Sequence, residues 1–269
     1  MLFNSISYLV FLPTVLLLYF VVPKKLKNTL LLLTSYFFYM SCLPVYGFLL
    51  FALSSVNYVL GLAIYRFQKV KKPLLVAGLL LNLSALCFYK YAVFFLSNWN
   101  LFLEFFEKKF HILLNAPHAP VLDIVLPLGI SFFVFEFIHY LVDVSKGDRP
   151  IRNYIHFALF AAFFPSHIAG PIKRYQDFAK QLANPVPLDS ERFWSGLGRI
   201  LQGLFKKVAI SDNLAPLVNL GFQNSSTIGT GDAWIAAIAF TMQIYFDFSG
   251  YTDIGIGSAK LFGIDLPEN

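Results

Sequence analysis

Acidic and imidazole side chains share one face of an apolar stretch at residues 124–144. Glu136, His139 and Asp143 are spaced i, i+3 and i+7, so a helix would present them on the same side. Glu-x-x-His is half of a carboxylate di-iron motif, but that site requires a second such pair and two further glutamates, which the sequence does not supply. We therefore predict no metal site. The stripe either faces a polar cavity or forms a structural hydrogen-bond network.

Residues 163–175 are a second candidate, because two proline breaks precede the cations Lys173 and Arg174. Backbone amides freed by such a bend, together with a guanidinium group, could hold a phosphate or a carboxylate. Contact with a lipid headgroup is an equally good interpretation of the same residues.

Residues 243–255 are a third candidate, where an aromatic stretch ends in two carboxylates, hydroxyl groups and glycines. Asp247 and Tyr251 would share a face if the helix continued, and Asp253 follows closely. The alternative is that these groups satisfy one another where a helix breaks, as Asp, Ser and Gly commonly do.

The composition decides the environment that must position these groups. Hydrophobic residues make up 57% of the 269 residues and charged residues 13%, and the mean hydropathy is +0.64. These values argue against a soluble globular enzyme. The net charge of +6 is typical of cytoplasmic loops beside anionic lipid, so we predict contact with membrane lipid and none with nucleic acid.

Seven apolar stretches predict an all-α polytopic membrane protein. Since about 20 helical residues cross a bilayer, residues 2–22, 47–64, 74–96 and 124–144 are credible spans. The remaining stretches, which are short and are expected to break or re-enter, are residues 29–42, 154–169 and 233–248.

Basic residues follow the first and third stretches, at Lys24–Lys27 and Lys69–Lys72, and the positive-inside rule makes both loops cytoplasmic. The N-terminus is then outside, as is the loop at 97–123. The same alternation predicts that residues 154–175 dip into the membrane and return. Residues 190–210 have helical apolar spacing with cations on other faces, which predicts an interfacial amphipathic helix that begins at Asp189.

Together these segments resemble the membrane-bound O-acyltransferase superfamily, in particular its bacterial alginate O-acetyltransferase branch. The resemblance covers most of the chain and depends on four ordered blocks: residues 127–133 continuing to 140–144, 163–165 with 169–172, 203–207, and 245–251 with Asp253.

The resemblance implies a single transmembrane domain at 1–269, a multi-helix bundle around a tunnel in the bacterial inner membrane. It implies transfer of an acyl group from acetyl-CoA or another thioester to a hydroxyl of an exported polysaccharide such as alginate, with no bound cofactor and with extracytoplasmic acetyltransferase partners. The candidate tunnel or motif residues are Arg174, Asp247, Tyr251, Asp253, Glu136 and Asp143.

The family's general base is a histidine in a Trp-x-x-Trp-His stretch that comes after the block matching residues 262–269, which places it beyond Asn269. We therefore expect no catalytic residue within this sequence, which resembles the N-terminal half of an acyltransferase. Three alternatives stay open: a transporter, a non-catalytic scaffold that recruits a periplasmic enzyme, and a D-alanyl transferase of the teichoic acid type, which has a similar Gly-Pro-Ile block.

Overall fold

The computed structural model describes residues 2–41, 43–110, 120, 124–167, 170–224 and 227–268, and the regular elements within these ranges are all helical. The α-helices are α1 (Ile6–Val21), α2 (Lys27–Met40), α3 (Pro44–Arg66), α4 (Lys71–Phe110), α5 (Ile130–Lys146), α6 (Tyr154–Ala162), α7 (Phe164–His167), α8 (Tyr175–Ala183), α9 (Ser190–Leu204), α10 (Asp212–Gln223) and α11 (Thr230–Leu261).

Parts of the predictions fall on residues outside these ranges. They are residue 42 of the apolar stretch at 29–42, residues 111–119 and 121–123 of the loop at 97–123, residues 168 and 169 of the stretch at 154–169, and Asn269. The expectation that the family's catalytic histidine lies beyond Asn269 therefore stays a prediction, and the described ranges end one residue before that position.

Two helices within the described ranges are long and apolar enough to cross a membrane. They are α3 and the run Gln68–Lys109, which contains most of α4, and α1 is a shorter apolar helix. The 23 residues of α3 extend about 34 Å at 1.5 Å per residue, slightly more than the hydrocarbon thickness. Both helices include predicted spans, at 47–64 and 74–96, and the other crossings stay predictions.

Three predicted boundaries are wrong. Helix α4 continues to Phe110, so residues 97–110 are helical and do not belong to a loop. Helix α11 continues past residue 248 to Leu261, so the glycines there do not end it. Helix α5 begins six residues later than the apolar stretch at 124–144, because Gly129 adopts φ +72° immediately before it.

The broken segment α6–α7 lies at the centre of the protein. Helix α6 has nine residues and rises only about 14 Å, which is too short to cross the hydrocarbon region. The aromatic rings of Phe160 and Phe163 then meet Phe178 of α8 at 6.2 and 5.1 Å between centroids, so the chain packs back against itself. All residues of 157–167 are buried.

The first and last described helices are joined by polar contacts. The Tyr8 hydroxyl lies 2.7 Å from the Ser258 hydroxyl, and the Tyr19 hydroxyl donates to the Phe262 carbonyl at 3.1 Å.

A pair of asparagines joins α3 to α4. Asn57 of α3 and Asn82 of α4 exchange amide hydrogen bonds of 3.1 and 2.7 Å at fully buried positions. Such side-chain pairs fix the packing of neighbouring apolar helices, because an unpaired amide there would be costly.

Candidate functional site

Helices α9 and α11 pack as an antiparallel pair through glycines. Gly196 lies against Gly257, and Gly203 lies against Gly250, so that both helices repeat glycine every seven residues along the contact. A Cβ built on Gly203 would lie 2.6 Å from the Gly250 carbonyl oxygen. The backbones therefore approach as closely as only glycine permits, as in other small-residue helix contacts.

This close approach lets charged side chains of α9 and the following turn reach a buried carboxylate on α11. Asp253 is 2% exposed and accepts hydrogen bonds from Arg199 Nε at 2.6 Å and from Lys206 Nζ at 2.5 Å. Arg199 Nη2 also donates to Glu268 at 2.6 Å, and Lys206 donates to Ser249 at 2.9 Å. Two cations thus pair with one buried carboxylate and join α11 to α9 and to the turn that follows it.

A second group of ion pairs centres on Lys207, the residue that follows Lys206. Lys207 Nζ contacts Asp212 at 2.8 Å and pairs with Asp247, and it lies 5.5 Å from the ring centre of Tyr251. Because α11 continues through this region, Asp247 and Tyr251 share a face of the helix, as the sequence predicts for a continuous helix. Tyr251 in turn packs against the Phe3 ring at 5.7 Å.

The turn that carries these cations, Phe205–Ser211, is a π-helix between α9 and α10. A π-helix adds a residue to each turn, which here directs Lys206 and Lys207 toward α11 together. Desolvation lowers the pKa of Lys207, but its bonds to Asp212 and Asp247 outweigh that effect and raise the pKa above its usual value. In the same way the carboxylates of Asp253 and Glu268 outweigh desolvation and raise the pKa of Arg199.

Glu136, the first residue of the polar stripe on α5, pairs with a lysine in the segment that follows α7. Glu136 is 5% exposed and accepts hydrogen bonds of 2.8 and 3.0 Å from Lys173 Nζ, which is 3% exposed. The Lys173 ammonium also lies 5.0 and 5.4 Å from the ring centres of Phe160 and Phe178. A buried ion pair of this kind depends on both partners, since either charge alone would be stranded.

The C-terminal part of the same stripe, His139 and Asp143, also makes polar contacts. His139 Nε2 lies 3.5 Å from Asp143, and Gln176 of α8 donates to Asp143 at 3.2 Å and to Asp148 at 2.6 Å. Both carboxylates of the stripe thus contact residues 173–176. These contacts are those of a hydrogen-bond network, one of the two interpretations of the stripe.

Arg174 stands apart from the other candidates. It is exposed at the start of α8, and its side chain has no hydrogen bond within the described part of the chain. It lines a cleft of about 420 Å³ together with Asp177, Gln181 and Asp265. The structure therefore brings Asp247 and Tyr251 together beside Lys207, with Asp253 close by on the same helix. Glu136 and Asp143 both contact the segment 173–176. Arg174 does not join either group and lies beside the cleft near Asp265.

Sequence reasoning missed the cations that pair with these carboxylates. It assigned Arg199, Lys206 and Lys207 to the polar faces of an interfacial helix, whereas all three bind carboxylates of the protein. The seven-residue spacing of Arg199 and Lys206, in parallel with Gly196 and Gly203, is the signal that could have placed them beside α11. The predicted cap is confirmed, since Asp189 accepts from the Arg192 amide at 2.7 Å.

Comparison with known proteins places this arrangement in a family. The model of the membrane-bound O-acyltransferase family, MBOAT, matches residues 72–269. The chain belongs to this family. The resemblance inferred from the four blocks is therefore confirmed, and so is the all-helical class of a membrane protein.

The chain is 40% identical over 275 residues to a probable alginate O-acetylase AlgI of Azotobacter vinelandii, which covers all of this chain and 53% of that protein. It is 34% identical to a peptidoglycan O-acetyltransferase of Helicobacter pylori, of which it covers 55%. A teichoic acid D-alanyltransferase of Bacillus subtilis is 28% identical over 57% of this chain and 40% of its own length. The chain thus spans about half the length of the relatives that it matches throughout.

In this MBOAT family member, residues in the four blocks or beside them contact one another. The third and fourth blocks form the glycine and ion-pair contact of α9, the π-helix and α11. The Glu136–Lys173 pair joins α5 to the segment after the second block, and Gly255 of α11 lies against the Pro165 carbonyl. Within the described ranges no group of three His, Cys, Asp or Glu side chains could hold a metal ion. The observed contacts join these helices by ion pairs.

Proposed function

We propose that this chain is part of a membrane O-acyltransferase that acetylates a hydroxyl of an exported polysaccharide. The observation that carries the proposal is the 40% identity, over the whole chain, to a probable alginate O-acetylase. The acyl donor in this proposal is acetyl-CoA or another cytoplasmic thioester, and no cofactor is bound. The acceptor is alginate or another cell-surface polymer, and extracytoplasmic acetyltransferases are the partners.

The proposed setting is the bacterial inner membrane, with residues 1–269 as one polytopic domain and the N-terminus outside. Two long apolar helices support it, and so does the apolar outer surface of α4, where Leu80, Phe94 and Phe95 are at least 60% exposed. An aqueous surface would not tolerate such a run, whereas lipid would. The basic turns after α1 and α3 support a cytoplasmic position for that side of the protein.

In the proposed reaction the hydroxyl oxygen bonds to the thioester carbonyl carbon and the carbon–sulfur bond breaks. A base removes the hydroxyl proton as the bond forms, and the thiolate takes up a proton. The resemblance assigns the base to a histidine in the part of the family that follows the block at 262–269, beyond the position of Asn269. We assign no catalytic role to His139 or His167.

The ion-paired residues would position the helices around the reacting groups. We propose that Asp253 and Glu136 hold α11 and α5 through their buried ion pairs. Asp247 and Tyr251, which share one face beside Lys207, are the candidates for lining a tunnel, with Asp143 behind them. Arg174, which is exposed beside the cleft near Asp265, is the candidate for contact with an anionic group.

A second candidate acceptor is peptidoglycan, because the Helicobacter pylori relative also matches the whole chain. The test is a chromosomal deletion of the gene in its native host, followed by labelling with radioactive acetate. The proposal expects label to disappear from secreted polysaccharide and to return when the intact gene is restored. Loss confined to peptidoglycan would identify the second acceptor.

The same strains distinguish the remaining alternatives. Unchanged acetate on both polymers, with a fall in polymer-bound D-alanine, would replace the proposal with the teichoic acid activity. Normal acetylation and normal D-alanine would refute acyl transfer and favour a transporter or a scaffold. A deletion strain that receives the gene with Gly198→Ala is the control for restored expression. Gly198 is exposed with open space around it, so this strain should acetylate as the strain with the intact gene does.

A further inference from the structure

A cleft lined by lysines opens where α1 ends and α2 begins. It has a volume of about 750 Å³ and is bordered by Lys24, Lys25, Lys27 and His156 on one side and by the segment 182–188 and the end of α11 on the other. We call it the lysine cleft. Its volume lies within the range of roughly 300–1,000 Å³ that is usual for small-ligand sites.

The walls of the lysine cleft are tied together by hydrogen bonds. The Asn28 side-chain amide contacts His156 Nε2 at 3.0 Å and donates to the Leu182 carbonyl at 3.1 Å, which joins α2, α6 and α8. The Val186 amide donates to the Gly263 carbonyl at 3.0 Å, which joins the opposite wall to the end of α11. The cleft is thus built from five parts of the fold and is more than a gap beside one loop.

The charge around the lysine cleft is of one sign. Its described lining residues include three lysines and no aspartate or glutamate. Lys24 and Lys25 are exposed and form no ion pair within the described residues, and the Lys27 ammonium lies 4.4 Å from the ring centre of Tyr19. Ammonium groups are the usual point-charge binders of phosphate, and clustering them without carboxylates raises the local anion concentration.

We propose that the lysine cleft binds the phosphate groups of an organic phosphate anion. Two sources share this chemistry: the nucleotide part of a cytoplasmic acyl donor and the headgroup of an anionic phospholipid. The first source rests on the proposed function and the second does not. The cleft lies beside the basic turn that the charge pattern assigns to the cytoplasm, where both sources occur.

The test uses the intact protein in nanodiscs of phosphatidylcholine and measures binding of adenosine 3′,5′-bisphosphate by isothermal calorimetry. The variant is Lys24→Gln with Lys25→Gln, since both side chains are exposed and their loss leaves the walls intact. The matched control is Lys69→Gln with Lys72→Gln, two exposed lysines of the other basic turn that do not line the cleft. Because acyl transfer is not the readout, failure here is distinct from failure of the proposed function.

Binding of the bisphosphate that weakens about tenfold or more in the variant and not in the control supports the nucleotide source. If the bisphosphate does not bind, nanodiscs that contain phosphatidylglycerol supply the second arm. Thermal stabilisation by this lipid that the variant loses and the control retains supports the headgroup source. Absence of both effects, or equal effects in variant and control, overturns the proposal.

Discussion

Substituting alanine at two glycines of α9 should change stability in opposite directions. Gly203 faces α11, where a Cβ would lie 2.6 Å from the Gly250 carbonyl oxygen and 2.8 Å from the Ile254 amide nitrogen. Gly198 is five residues earlier on the same helix, and a Cβ there would meet nothing within 4 Å. The substitution is chemically the same at both positions, so only the packing against α11 differs.

The expected magnitudes follow from two opposing effects. Alanine in place of glycine within a helix stabilises it by about 0.5–1 kcal/mol, and Gly198→Ala should show this gain alone. At Gly203 the new Cβ must move from 2.6 Å to at least about 3.0 Å, so α9 and α11 must separate by roughly 0.4 Å. Overpacking of this kind costs about 1–3 kcal/mol, which leaves Gly203→Ala destabilised by about 1 kcal/mol.

The assay is reversible unfolding of each purified variant by SDS in mixed micelles, followed by tryptophan fluorescence. Trp194 on α9 and Trp234 on α11 report on the two helices directly. We expect the two variants to differ by about 2 kcal/mol in free energy of unfolding, with the wild type between them. If Gly203→Ala were as stable as Gly198→Ala, the close approach of the two backbones would be wrong.

Two further predictions concern the buried ion pairs. Asp253→Asn should lower the free energy of unfolding by about 2–3 kcal/mol, because it leaves two cations beside a neutral amide in a site that is 2% exposed. Glu136→Gln should cost about 3 kcal/mol, because it strands the Lys173 ammonium at 3% exposure, and adding Lys173→Met should restore at least half of that loss. The same SDS titration measures both.

Each of these predictions has its own check. Asp232→Asn changes an exposed aspartate of α11 and should alter stability by less than about 0.5 kcal/mol. An effect of Asp253→Asn no larger than that of Asp232→Asn would exclude a structural role for the Asp253 ion pairs. Additive losses in the Glu136→Gln, Lys173→Met double variant would contradict direct pairing of the two side chains.

The environment, the family and several local features could be predicted from the residues alone. Low charge and long apolar stretches require lipid, because soluble proteins cannot leave so much apolar surface exposed. The Asp189 cap and the break at the α6–α7 segment follow from local rules, since a short polar side chain satisfies free amides and proline cannot continue a helix. The four blocks identified the family because their order and residue types are specific.

The contacts between distant groups depend on how the helices pack and could not be predicted from local patterns. Gly250, Gly255 and Gly257 favour a break in an isolated helix, yet α11 continues through them because α7 and α9 pack closely enough to offset their helix cost. Apolar periodicity shows which face of a helix is buried but not which helix covers it. For that reason the partners of Asp253 and Glu136, which lie 47 and 37 residues away at Lys206 and Lys173, became visible only in the folded chain.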